Sequence, residues 1–162
     1  MLEGYLNDEE SKSVIKIFAK GNLREYVTEA TALTRINNLP PDQRKRLPKL
    51  NKISGNSNQL AIVCKSAGVS FGDYIQKVLL DRELLTFKIC LQLVEALEAL
   101  ASLGLVHGDI KPDNICLKRN ESGELEATLI DFGLSQGIGL NETDKGKRKC
   151  RFKGNFMFSS ID

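Results

Sequence analysis

His107-Gly108-Asp109-Ile110-Lys111-Pro112-Asp113-Asn114, followed after one predicted hairpin by Asp131-Phe132-Gly133, decides how the rest of this chain is read. The first stretch lies between a predicted helix and a predicted strand. It gathers an Asp, a Lys and an Asn on one loop, and the second motif sets another Asp at a neighbouring strand end. Phosphoryl transfer needs such a set: a carboxylate to orient a hydroxyl, a cation for the migrating phosphoryl group, and oxygen ligands for Mg²⁺. Asp109 suits the first task and Lys111 the second; Asn114 offers a neutral oxygen to the metal and Asp131 a charged one. Asp and Asn are common in turns, and Asp-Phe-Gly alone is a weak signal. The eight-residue pattern with Asp-Phe-Gly one hairpin later is specific, because the strand–loop–strand context comes with it.

Upstream of the loop, the spacing predicts a long helix from Leu84 to Leu103. Phe87, Leu91, Val94, Leu97 and Ala101 line the expected core face, widened by Cys90, Leu93 and Leu100. Gly104 is a natural stop. Leu60 to Cys64 is a continuous apolar run, read as a strand buried on both sides. A short helix starts near Ser70 and includes Asp73, Tyr74 and Ile75. At the other end, Ser13 to Phe18 reads as a strand and Asn22 to Asn37 as a helix with Tyr26, Ala30, Leu33 and Ile36 inward, broken by Pro40 and Pro41. Pro40 to Lys52 is basic and reads as a solvated loop, the alternative being a docking patch for an acidic partner. Downstream, Ile115 to Leu117 and Thr128 to Ile130 are short strands around the polar turn Arg119 to Glu126. A long loop follows Phe132.

The 162 residues suit one domain, and 41% hydrophobic against 27% charged residues is a globular balance. A net charge of +2 gives no case for a nucleic-acid partner. No apolar run reaches the roughly 18 residues of a membrane span, and the N-terminus lacks the features of a signal peptide. An intracellular protein, cytoplasmic or nuclear, is the expectation. The four cysteines are scattered without a Cys-x-x-Cys pair, as befits reduced thiols and no zinc site. The sequons at Asn120 and Asn141 read as chance matches.

With these residues in view, the sequence resembles the eukaryotic protein kinase superfamily. His107 to Asn114 resembles its catalytic loop and Asp131-Phe132-Gly133 its magnesium-binding motif. Val14-Ile15-Lys16-Ile17 is similar to the strand carrying the ATP-anchoring lysine, which makes Lys16 the candidate. Glu29 resembles the partner glutamate on the next helix, with Leu33 one turn on towards Phe132. A lysine in an apolar strand needs such a counter-charge; the structural alternative is a Lys16 pointing outward from an edge strand. The resemblance further implies Cys64 at the gatekeeper position, and Val14 and Cys116 on either side of the adenine. The implied fold is α+β: a two-lobe kinase fold in part, residues 1–64 giving a portion of the antiparallel N-lobe with one helix, and 65–162 the hinge, catalytic loop and activation segment. The implied cofactors are ATP and Mg²⁺, and the implied partner is a protein substrate with a Ser or Thr hydroxyl.

Gly154 to Asp162, ending Phe-Ser-Ser-Ile-Asp, and the His-Gly-Asp form of the loop resemble the casein kinase I and vaccinia-related kinase group. Lys111 fits serine/threonine specificity. Gly108 stands where phosphate-activated kinases have an arginine, so phosphorylation of Ser135 or Thr143 is not expected to be required. The basic run Lys145 to Lys153 reads as a solvated loop, or else as a reader of acidic peptides. Two departures stand out: no glycine-rich loop precedes Val14, and the helices that follow in the family are absent. The all-round apolar helix Leu84 to Leu103 therefore expects a completing partner or flanking sequence, since exposing four large side chains costs about 6–12 kcal/mol. Two alternatives to an active kinase stay open. One is a pseudokinase-like binding module. The other is a small-molecule kinase of the aminoglycoside or choline type, against which Lys111-Pro112 and Asp-Phe-Gly count.

Overall fold

The computed structural model describes residues 12–56, 59–77 and 82–137. Strands β1 (Ser13–Phe18), β2 (Leu50–Gly55) and β3 (Leu60–Lys65) make an antiparallel sheet in the order β1-β3-β2. In register, Val14 faces Cys64 and Lys16 faces Ile62. Strand side chains alternate, so these four residues share one face, and all four line the same cavity. A slip of one residue would put Ile15 or Ile17 where Lys16 stands.

Helix α1 (Leu23–Asn37) packs on this sheet. Its buried stripe is Glu29, Ala32, Leu33 and Ile36, so the stripe expected through Tyr26 and Ala30 is rotated, and a carboxylate lies inside it. Tyr26 is only partly buried: its ring meets Phe18 edge-on at 5.4 Å and its hydroxyl donates to the Ser54 carbonyl at 3.1 Å.

The second half contains β4 (Val69–Ser70), α2 (Phe71–Lys77), α3 (Arg82–Ser102), β5 (Leu105–Val106), β6 (Ile115–Arg119), β7 (Leu125–Leu129) and β8 (Gln136–Gly137). Strands β4, β6 and β7 form one sheet in that order, and β5 pairs with β8. The α+β architecture expected from the sequence is the one observed. Gly104, at φ +60°, ends α3 as expected, with its N–H on the Ala101 carbonyl at 2.8 Å. Arg35 of α1 donates to the Leu103 carbonyl, tying the two helices at this corner. Among the described residues, no helix is long and apolar enough to cross a membrane.

Most of the expected inward face of α3 is turned outward, although Leu100 is buried and Leu93 packs against the core as expected. Phe87, Leu91 and Val94 are 61%, 54% and 51% exposed, and Cys90 and Ala101 are exposed too, while Ile89, Ala96, Ala99 and Leu100 are buried. Apolar residues fall on every side of this helix, so periodicity could not choose a face. Gln92 chooses it: its amide donates to the Leu125 carbonyl at 3.0 Å and accepts the Ala127 N–H at 2.8 Å, fastening α3 to the edge of β7.

The segment read as a solvated loop is partly built into the fold. Leu47 and Pro48 are buried, and β2 begins at Leu50. Arg44 donates to the Asn37 carbonyl and side chain at 2.8 and 2.6 Å; Arg46 pairs with Glu95 at 2.9 Å, and its carbonyl accepts the Leu129 N–H at 3.0 Å. The basic residues thus clamp the end of α1 to α3 and β7.

Candidate active site

Between the two sheets lies a cavity of about 350 Å³. Val14, Lys16 and Cys64 line it from β1 and β3, and Cys116, Ile130 and Asp131 from β6 and the end of β7. Burial in these apolar walls pushes the Cys64 thiol up to about 12, Glu29 adding to it, and the Cys116 thiol up to about 11. Both are neutral thiols at physiological pH.

Lys16 is part of this lining. Its Nζ donates to Glu29 Oε2 at 2.7 Å and to Asp131 Oδ1 at 2.8 Å, joining β1, α1 and the strand end after β7. Lys16 faces the cleft, although β1 is an edge strand among the described residues. Burial works to lower its pKa, but Glu29 and Asp131 together hold it above the ordinary lysine value. Burial pushes the Glu29 carboxyl up, with Lys16 opposing. For Asp131 burial also works upward. The Lys16 contact and the Gly133 N–H outweigh it and hold the carboxyl below its usual range. Asp131 stands at φ +67°, a backbone that favours glycine and that Asp tolerates better than most.

Glu25 escaped the sequence reading. Its Oε1 is 3.3 Å from Lys16 Nζ, one helical turn before Glu29. The signal was the Glu25/Glu29 spacing of four, which puts both carboxylates on one face of α1. Oxygens of Glu25, Glu29 and Asp131 lie within 4.8 Å of one another, with the Lys16 ammonium in contact with all three.

The loop residues form a second cluster. Asp109 Oδ2 accepts Lys111 Nζ and Asn114 Nδ2, both at 2.8 Å, and the Asp109 carbonyl accepts Asn114 Nδ2 at 2.8 Å. The Asp109 hydrogen bond raises the Lys111 pKa. His107 is buried against Phe132, ring centroids 4.8 Å apart. The Asp109 N–H reaches its Nδ1 at 3.2 Å, and its Nε2 donates to the Ile130 carbonyl at 2.9 Å. These contacts define a neutral ring protonated on Nε2, and burial lowers its pKa to match. Gly108, at φ +84°, is where only glycine fits: a Cβ there would lie 2.7 Å from the Leu134 carbonyl oxygen.

Lys16, Glu29 and Asp131 are therefore in one cluster, and Asp109, Lys111 and Asn114 in another. The Ile130 N–H, bonded to the Asn114 carbonyl at 2.8 Å, joins them through the backbone. Val14, Cys64 and Cys116 line the cavity; Asp109 does not. Mg²⁺ fits the donor set. Asn114 turns its amide nitrogen to Asp109, which leaves its amide oxygen for a cation, and Asp131 is ionised at neutral pH. Ser135 is buried, which sets it apart from an exposed phosphate acceptor. Thr143, Lys145 to Lys153 and Gly154 to Asp162 lie outside the described residues.

A family model described as a protein kinase domain matches residues 2–158. The chain belongs to the protein kinase family. It is 31% identical over 121 residues to the fatty acyl-CoA synthetase and RNA processing-associated kinase 1 of Saccharomyces cerevisiae, covering 74% of this chain and 14% of that protein. It is 34% identical over 129 residues to a death-associated protein kinase of Caenorhabditis elegans, 71% of this chain and 8% of the relative. It is 28% identical over 135 residues to serine/threonine-protein kinase 1 of Heliothis zea nuclear polyhedrosis virus, 83% of this chain and 48% of the viral protein. The chain thus spans about half or less of each of these kinases.

Proposed function

We propose that this chain is the ATP- and Mg²⁺-dependent catalytic segment of a serine/threonine protein kinase, moving the γ-phosphoryl group of ATP to a protein hydroxyl. The observation that carries the reading is the Lys16 bridge, 2.7 Å to Glu29 and 2.8 Å to Asp131, in the lining of a largely apolar cavity. In this reading Val14 and Cys116 close on the adenine and Cys64 stands behind it. Lys16, braced by Glu29, holds the non-transferred phosphates. Asp109, positioned by Asn114, accepts the hydrogen bond of the attacking hydroxyl and takes its proton. Lys111, kept protonated beside Asp109, steadies the migrating group. Asn114 and Asp131 would hold Mg²⁺, which when bound would neutralise charge on the phosphate oxygens.

Finer assignments belong to the same proposal. Residues to about 64 form the N-lobe portion, and those from 65 on the hinge, catalytic loop and activation segment. Gly108, with the tail Phe158 to Asp162, supports the casein kinase I and vaccinia-related group. The free thiols of Cys64, Cys90 and Cys116 suit a reducing cytoplasm or nucleus.

The test is Mg-ATP binding followed by phosphate transfer to Ser/Thr peptides, with Asp109→Asn alongside. Expected are a nucleotide-dependent rise in melting temperature for both forms and transfer by the wild type alone. Binding without transfer would identify a non-catalytic module. Transfer only to small alcohols would identify a small-molecule kinase.

A further inference from the structure

Of the three carboxylates around Lys16, Glu25 is the odd one. Glu29 is packed in the core, its side chain 7% exposed, and Asp131 is held by Lys16 and the Gly133 N–H. Glu25 is 39% exposed, makes the longest of the three contacts at 3.3 Å, and has no task in the reading above. Gly133 gives it room: a Cβ there would lie 2.8 Å from Glu25 Cγ and 3.1 Å from Oε1, so any larger residue would push the Glu25 side chain aside.

We propose that Glu25 is an electrostatic brake on nucleotide binding, competing with polyphosphate for Lys16. Three carboxylates against one ammonium leave a local charge of −2 where an anionic phosphate chain has to enter. Glu29 braces Lys16, and Asp131 is the residue assigned to the cation. Glu25 adds repulsion for the longest of the three Lys16 contacts, and with its side chain 39% exposed it can swing away. Free nucleotide therefore meets a site set against it, whereas a nucleotide arriving with its divalent cation meets matching charge. Glu25 makes the site selective for the metal-bound form. This inference rests on Lys16 being the phosphate anchor.

The experiment measures binding of a fluorescent ADP analogue to the full chain, with Mg²⁺ and with chelator, for the wild type, Glu25→Gln and Glu25→Ala. Circular dichroism reports on folding. Loss of one partly screened repulsive charge should tighten metal-free binding about three- to tenfold in both variants. With Mg²⁺ the gain should be smaller, so the wild type shows the larger metal dependence. About 0.5 M salt should shrink the difference. If wild type binds and both folded variants bind equally or more weakly, Glu25 is a plain surface acid or a brace, and the brake is refuted. If no form binds nucleotide under any condition, the kinase reading itself fails and this inference falls with it.

Discussion

Replacing Lys16 with Met tests the frame of the site most directly. The substitution removes the ammonium and keeps most of the volume. Glu29 would be left buried and unpaired, with Asp131 and Glu25 close by and all three oxygens within 4.8 Å. Removing one partner of a buried pair costs about 3–5 kcal/mol. The Lys16 side chain keeps 21% of its exposure, which puts the expectation at the low end, about 3 kcal/mol. For a chain of this size that is a fall in melting temperature of about 6–12 °C. Lys16→Met/Glu29→Gln removes both charges and should cost less than the single change, with a coupling of at least about 1 kcal/mol. The pH dependence has a definite sign. Without Lys16 the folded-state pKa of Glu29 rises further, so protonation favours the folded variant, and its deficit narrows as pH falls from about 7 to about 4.5. Wild-type Asp131, with its pKa depressed, loses its contribution only as pH falls below the ordinary Asp value of about 3.9, outside that window. Urea denaturation across this range is the assay. A strictly additive double variant, or a deficit that does not change with pH, would refute the reasoning.

Three further outcomes are expected. Gly108→Ala combines a φ of +84° with a Cβ 2.7 Å from a backbone oxygen, so it should destabilise by about 2–3 kcal/mol in urea; less than about 0.5 would show that the turn relaxes freely. Phe132→Ala empties a fully buried position and should cost about 3–5 kcal/mol, whereas Phe132→Leu should cost about 1–2, read from paired melting curves. At pH 8, about four units below the value near 12 for Cys64 and three below the value near 11 for Cys116, thiolate fractions are about one in ten thousand and one in a thousand. Iodoacetamide followed by peptide mass spectrometry should mark exposed Cys90 before Cys64 and Cys116, and equal labelling of Cys64 would contradict its burial.

The contiguous motifs were readable because their chemistry is local. His107 to Asn114 carries its own hydrogen-bond partners within eight residues, and Lys16 in an apolar strand called for a counter-charge, which pointed to a helix acid. Glu25 was missed because one counter-ion satisfies that demand and nothing in a sequence asks for a second. Orientation was the other blind spot. Most of the face of α3 read as inward points outward because Phe87 and Leu91 are as apolar as Ile89, while Leu100 was placed correctly; the informative residue was polar Gln92, whose amide reads a strand edge. Strand β2 was invisible because five of its six residues are exposed and it joins the sheet through its backbone. Leu47 hid among five basic residues that looked like a solvent-facing run.

The backbone link at Ile130 separates frame from lining. Its N–H meets the Asn114 carbonyl and its carbonyl meets His107 Nε2, while its side chain lies in the cavity wall. Neither bond depends on which side chain position 130 carries. Evolution or an engineer can therefore resize the cleft at that residue while the spacing between the Asp109 and Asp131 clusters stays fixed, so that the shape of the cavity and the alignment of the two clusters drift independently.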